Sequence, residues 1–196
     1  MTMRTISATC AGLGTLALAT ALATPAVADS APAGSPASAR AAATIVVDGD
    51  DSPIRADIDQ VKIGHRSDRI KVKVLFDDLV RSPLRRSQGV SIFFDTDPST
   101  PTPEYRLGGG LNSGTDYALH SIESWRDQGR RVHNCDYRGR LDWDQDTVTY
   151  KVDPACFDDV PQFAMAVKAG EWTKKAGTRI DWLLGARTLT APIPVQ

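Results

Sequence analysis

Between Ile70 and Phe76 the chain sets Ile70, Val72, Val74 and Phe76 against Lys71 and Lys73. A strict period of two belongs to an extended strand with one face covered and one face wet. The same period recurs in almost every segment after residue 43, and no stretch keeps a helical apolar stripe for three turns. Extended segments are therefore expected near 43–47, 57–64, 70–76, 89–95, 104–107, 116–122, 162–168 and 179–190, with 130–134 leading into a hairpin before the last two. Between Ile58 and Val61 the apolar phase slips, which predicts either a bulge or a late strand start. In 89–95, Val90, Ile92 and Phe94 point one way while Ser91 and Phe93 point the other, so that strand is expected to be covered on both faces. Residues 77–84 leave room for one helical turn. Gly108, Gly109 and Gly110 with the polar residues after them read as a mobile loop, and His65 falls in a turn. Short strands at near-regular spacing predict an all-β fold, an antiparallel β-sandwich of jelly-roll type with eight or nine strands.

Cysteine placement sharpens the topology. Apolar alternation reverses around Trp143-Asp144-Gln145-Asp146. If Gln145 and Asp146 make a two-residue turn, Trp143 opposes Val148, Leu141 opposes Tyr150, Gly139 opposes Val152 and Cys135 opposes Cys156, all on one face. A register chosen without reference to the cysteines thus sets them opposite each other, and a disulfide across the hairpin is expected. Trp143 would then point into the sandwich.

The N-terminal residues read as an address. Arg4 precedes a short apolar run, and Ala26-Val27-Ala28 supplies small residues at a cleavage site. That predicts a signal peptide over 1–28 and a secreted, extracellular protein. Residues 29–43, rich in Ala, Ser and Pro, are expected to be a disordered linker, leaving one β-sandwich domain over 44–196. Lysine and arginine number 23 against 24 acidic residues, a net charge of −1. With no basic run along the chain, nucleic acid is not an expected partner. No second hydrophobic segment follows the leader, so no membrane anchor is expected, and the domain is long enough to close its core as a monomer.

Two acidic clusters have the chemistry of a calcium site, since calcium takes six to eight oxygen ligands. Asp48, Asp50 and Asp51, with Asp57 and Asp59 close behind, form the first. Asp95 and Asp97 with Glu104 form the second. Neither has the spacing of an EF-hand loop, and aspartate also favours turns because its side chain accepts hydrogen bonds from nearby backbone N–H groups. For Asp95 and Asp97 the expectation is the polar rim of a buried strand. No cofactor is required by the sequence; structural calcium is the one candidate, and the first cluster is the better of the two sites for it. Flat aromatic faces suit sugars, and Trp125 and Trp172, each among charged and turn-forming residues, are the candidate ligand-binding side chains; Trp182 is expected to pack. No catalytic residue is expected: Asp95 and Asp97 lie too close on one face for opposed attack on a glycosidic bond, and no G-x-S-x-G or H-E-x-x-H motif occurs.

The stretches "VDGDDSPIRADIDQVKI", "VSIFFDTD" and "PEYRL" together resemble small secreted actinobacterial β-sandwich proteins, distantly similar to family 9 carbohydrate-binding modules and to DOMON domains, over residues 44–190. That resemblance implies a jelly-roll-like sandwich, in some members with structural calcium, that binds outside the cell rather than catalyses. The expected function is a secreted, non-catalytic binding module for carbohydrate or cell-wall glycan. The alternative is a protein-binding accessory or inhibitor module using residues 108–114, and an extracellular hydrolase comes third.

Overall fold

A computed structural model of the chain describes residues 43–49, 51–82, 84 and 86–196. The leader and nearly all of the linker, with Asp50, lie outside the described residues. The described chain is an antiparallel β-sandwich. One sheet has five strands in the order β1 (Thr44–Val47), β2 (Ile58–Arg66), β3 (Arg69–Phe76), β9 (Thr147–Val152), β8 (Tyr137–Asp142). The other runs β11 (Gly177–Trp182), β10 (Gln162–Thr173), β4 (Arg86–Asp95), β5 (Tyr105–Gly110), β6 (Tyr117–Ser121), β7 (Arg130–Arg131), with β12 (Ile193–Pro194) on the first residues of β10. The count exceeds the expected eight or nine strands, and two of the additions, β7 and β12, are only two residues long.

Alternation sets the core. Ile70, Val72, Val74 and Phe76 are buried with Ile63, Val148 and Tyr150 of their own sheet and with Ile92, Phe94, Leu107, Met165 and Val167 of the other. Burial of such side chains contributes roughly 1.5–3 kcal/mol each against an exposed reference. The bulge is present, as the β2–β3 register shifts between Ile58 and Gln60. Phe93 turns away from this core into a second cluster on the outer face of its sheet, with Ile122, Ala166, Trp125, Trp182 and Leu189.

Several local expectations are corrected. The hairpin loop holds Trp143-Asp144-Gln145-Asp146, with Asp146 at positive φ, so Leu141 pairs with Val148 and Gly139 with Tyr150. A slip of two keeps every side chain on its expected face. The ladder stops at Tyr137 and Val152; Pro154 opens a 3-10 turn (Pro154–Phe157) that carries Cys156 back to Cys135. The two cysteines form a disulfide with Cα atoms 5.2 Å apart. Trp143 packs at the edge of the core from the hairpin loop, and its Nε1 donates to the Leu111 carbonyl at 2.9 Å.

Gly108 to Gly110 are not a loop but the second half of β5. A Cβ on Gly108 would lie 2.2 Å from the Val90 carbonyl oxygen, and one on Gly109 2.1 Å from that of Asp116, so only glycine permits this approach. His65 is fully buried inside β2, its Nδ1 3.0 Å from the Ile193 carbonyl and its ring 4.8 Å from that of Phe163. Residues 77–82 form no helical turn; among the described residues the 3-10 turn is the one helical piece.

One end of the interior is polar. Glu171 faces inward on β10, paired with Arg86, and accepts from Gln88 Nε2 and the Arg55 backbone N–H, both at 3.3 Å. Gln88 in turn accepts from the Val80 N–H at 2.7 Å, and its own N–H donates to Asn112 Oδ1 at 2.8 Å. These bonds satisfy groups whose burial would otherwise be costly.

Candidate functional site

The outer face of the seven-stranded sheet is assembled from alternate residues of five strands. Lys168 on β10 lies between Trp182 and Ser91, and Ser91 faces Gly108, which faces Ala118. Two residues further along β10, Gly170 lies between Ile180 and Gly89. Two more bring Trp172 between Thr178 and Ser87. The middle of the face is therefore glycine, serine and alanine, where the backbone lies open. On it is a trough of about 340 Å³ walled by Arg106, His120, Lys168, Thr178 and Ile180.

The two ends of this sheet face, beyond the trough itself, differ. At one, Trp125 meets Phe93 at 5.0 Å and Trp182 at 5.9 Å between ring centroids. Lys168 Nζ sits 5.8 Å from the Phe93 ring and 5.7 Å from that of Trp182, a geometry in which ring quadrupoles favour the cation. The Trp125 loop is fixed by Asp127, whose Oδ2 accepts from the Glu123 N–H at 3.1 Å and whose Oδ1 accepts from that of Gly129 at 3.0 Å. At the other end Trp172 is 50 % exposed. Four strand residues separate it from Lys168, about 13 Å at the usual rise.

The charge of the trough is positive. Arg106 donates to the backbone carbonyls of Asp127 and Gln128 at 3.2 and 2.8 Å. Among the described residues no carboxylate forms an ion pair with Arg106 or Lys168. Burial, then Arg106 and Arg187, push the Lys168 ammonium below the usual lysine range. Burial, then Arg106 and Arg131, lower the His120 imidazole from its ordinary value. The shift favours the neutral imidazole, which offers one donor and one acceptor.

The acidic candidates divide. Asp48 and Asp51 converge with Asp181 of β11, their carboxylate oxygens within 4.8 Å of one another. Asp48 Oδ1 accepts from the Leu184 N–H at 3.1 Å, and Asp181 Oδ2 from that of Ile58 at 2.9 Å. Asp48 Oδ2 is buried with no hydrogen-bond partner among the described residues. Burial, then Asp51, raises the Asp48 carboxyl; Asp181 is raised by burial first, with Asp48 and Asp51 adding to it. Three crowded carboxylates with a spare buried oxygen suit a divalent cation, for which backbone carbonyls and water would complete the shell. Asp57 and Asp59 instead hold the turn: Asp57 Oδ2 accepts from the Asp51 N–H at 3.3 Å, and the Asp59 carbonyl from that of Asp48 at 3.0 Å.

Asp95, Asp97 and Glu104 do not bring three carboxylate oxygens within 4.8 Å of one another, although Asp95 Oδ1 is also buried with no hydrogen-bond partner among the described residues. Asp97 Oδ1 accepts from the Ser99 N–H at 2.9 Å and the Ser99 hydroxyl at 2.7 Å, which lowers its carboxyl from the ordinary value. Glu104 Oε2 accepts from the Thr96 and Asp97 N–H groups at 2.7 and 3.3 Å, and Oε1 from the Thr100 hydroxyl. Asp95 is raised by burial, then by Glu104. These bonds shape the strand end.

Reasoning from sequence missed Lys168, Arg106, His120 and Asp181. The signal for Lys168 was present: β10 continues past it with Gly170 and Trp172 on the same side, but inward-facing Glu171 disguises the phase. No protein-family model matches the chain, and no curated protein matches it.

Proposed function

We propose that this chain is a secreted, non-catalytic module that binds saccharide, in the first place cell-wall glycan, on the outer face of its seven-stranded sheet. The observation that carries the reading is the small-residue floor between Trp172 at one end and Lys168 with Trp182 at the other. Pyranose rings need an apolar plane and a few directed polar groups. Trp172 offers the plane, while Ser91, Thr178, His120 and Lys168 offer donors and acceptors along the trough. The disulfide agrees with an oxidising compartment. Residues 108–114 give less to a protein-docking reading, since Gly108 to Gly110 lie within β5 and both Leu111 and Asn112 are buried. Calcium belongs to the same proposal as a structural ion at Asp48, Asp51 and Asp181, tying the end of β1 to β11.

The test is a glycan array followed by calorimetry on the wild type, Trp172→Ala and Trp125→Ala. Trp172→Ala should weaken saccharide binding at least about tenfold, the scale of one lost stacking contact. Unchanged binding in both tryptophan variants would remove the case for this face.

A further inference from the structure

The outer face of the five-stranded sheet holds a charge pattern that neither the fold nor the saccharide trough requires. Its outward positions include Lys62 and Arg66 on β2, Lys71 and Lys73 on β3, and Lys151 on β9. Strand pairing sets like charges directly opposite: Lys62 faces Lys73, Arg66 faces Arg69, Lys71 faces Lys151, and Lys151 faces Arg138. Such pairs are unfavourable in an antiparallel ladder. Acids touch only the margin, with Asp68 at 3.8 Å from Arg69, Asp136 at 3.3 Å from Arg138 and Asp142 at 4.0 Å from Arg140. Lys62, Arg66, Lys71, Lys73 and Lys151 form no ion pair among the described residues. Between them runs a trough of about 540 Å³ with Gly64 in its lining and, among the described residues, no Asp or Glu. The sequence shows no uninterrupted basic run because the cations of 62–73 alternate with inward-facing residues along β2 and β3, and Lys151 joins them only through the pairing of β9.

We infer that this face binds a linear acidic glycopolymer, whose carboxylate, sulfate or phosphate groups would lie along the trough. A chain crossing the strands meets a cation roughly every 5 Å, the spacing of neighbouring strands. Its negative charges would offset the repulsion built into the ladder. Concavity favours a linear chain over a bilayer, which is flat and would reach only the rim. Single-stranded nucleic acid would find no ring to stack on there, because the trough lining contains no aromatic side chain among the described residues. The inference concerns a different sheet from the saccharide trough and does not depend on it.

The experiment measures affinity of the full chain for heparin, polygalacturonate and poly(glycerol phosphate), which separate sulfate, carboxylate and phosphate. Duplex DNA and phosphatidylserine vesicles serve as rivals, the latter also because Ile45 and Val47 are exposed on β1 beside this face. At least one acidic glycopolymer should bind at about 50 mM salt and lose about tenfold or more in affinity by about 200 mM, as ion release requires. The double variant Lys71→Gln/Lys151→Gln should lose about tenfold at low salt, whereas the charge-matched Lys174→Gln/Lys175→Gln in the turn between β10 and β11 should not. The melting temperature of Lys71→Gln/Lys151→Gln should hold or rise, because a repulsive pair is gone; this separates lost binding from lost folding. Absence of binding to all three polymers, equal binding by the double variant, or tighter binding to DNA or vesicles would overturn the inference.

Discussion

Trp172 and Trp125 bring the same side chain into unlike surroundings, and the difference can be measured. Trp172 stands 50 % exposed over the glycine and serine floor, whereas Trp125 leans on Phe93 and Trp182. Trp172→Ala should change stability by no more than about 0.5 kcal/mol, and Trp125→Ala should cost about 1–2 kcal/mol, less than a fully buried tryptophan; urea unfolding reads both. Gly108→Ala is the sharper case. Its new Cβ would sit 2.2 Å from a backbone oxygen, and we expect a loss of roughly 2 kcal/mol or more from forced strand separation, seen as a lower urea midpoint. Residues of this kind are where the sequence was least legible. A glycine required by close approach and a glycine in a loop look the same in one dimension. His65 reads as a turn residue by its neighbours and is buried because Phe163 and Ile193 close over it.

At the scale of strands, legibility was higher, because side-chain parity survives errors of register. The bulge in β2 and the two-sided burial of β4 follow from phase alone. The hairpin was misplaced by two residues, yet its cysteines still meet, since the 3-10 turn after Val152 makes up the difference. The bridge spans a sequence separation of 21, and its removal in Cys135→Ser/Cys156→Ser should cost roughly 3 kcal/mol in the chain-entropy account, checked by denaturant unfolding. Asp181 was out of reach, because its meeting with Asp48 and Asp51 depends on which sheet edges adjoin. That contact has its own signature. The Asp48 and Asp181 carboxyls are raised in the fold, so the folded chain binds protons more tightly than the unfolded one. Their contribution is full below the unfolded carboxylate range and is lost as pH rises through the raised values. In chelator at neutral pH, Asp48→Asn should therefore raise the melting temperature. Millimolar calcium should raise that of the wild type and leave Asp48→Asn unmoved. A wild type indifferent to calcium would remove the ion from the account.

For the molecule as a whole, near-neutrality conceals segregation. A net charge of −1 is divided among a basic face on the five-stranded sheet, a positive trough on the seven-stranded sheet and an acidic corner at Asp48, Asp51 and Asp181. Folding makes these regions by drawing one or two residues from each of several strands, and total charge does not register that. The two outer faces are accordingly the places where a sandwich with a sealed apolar interior can meet other molecules. The most direct measurement is a backbone and indole amide NMR titration of the chain with soluble cell-wall oligosaccharides. The account predicts shifts concentrated at Ser91, Gly108, Lys168, Gly170 and the Trp172 indole. Perturbations confined to other surfaces, or none at saturating saccharide, would contradict it.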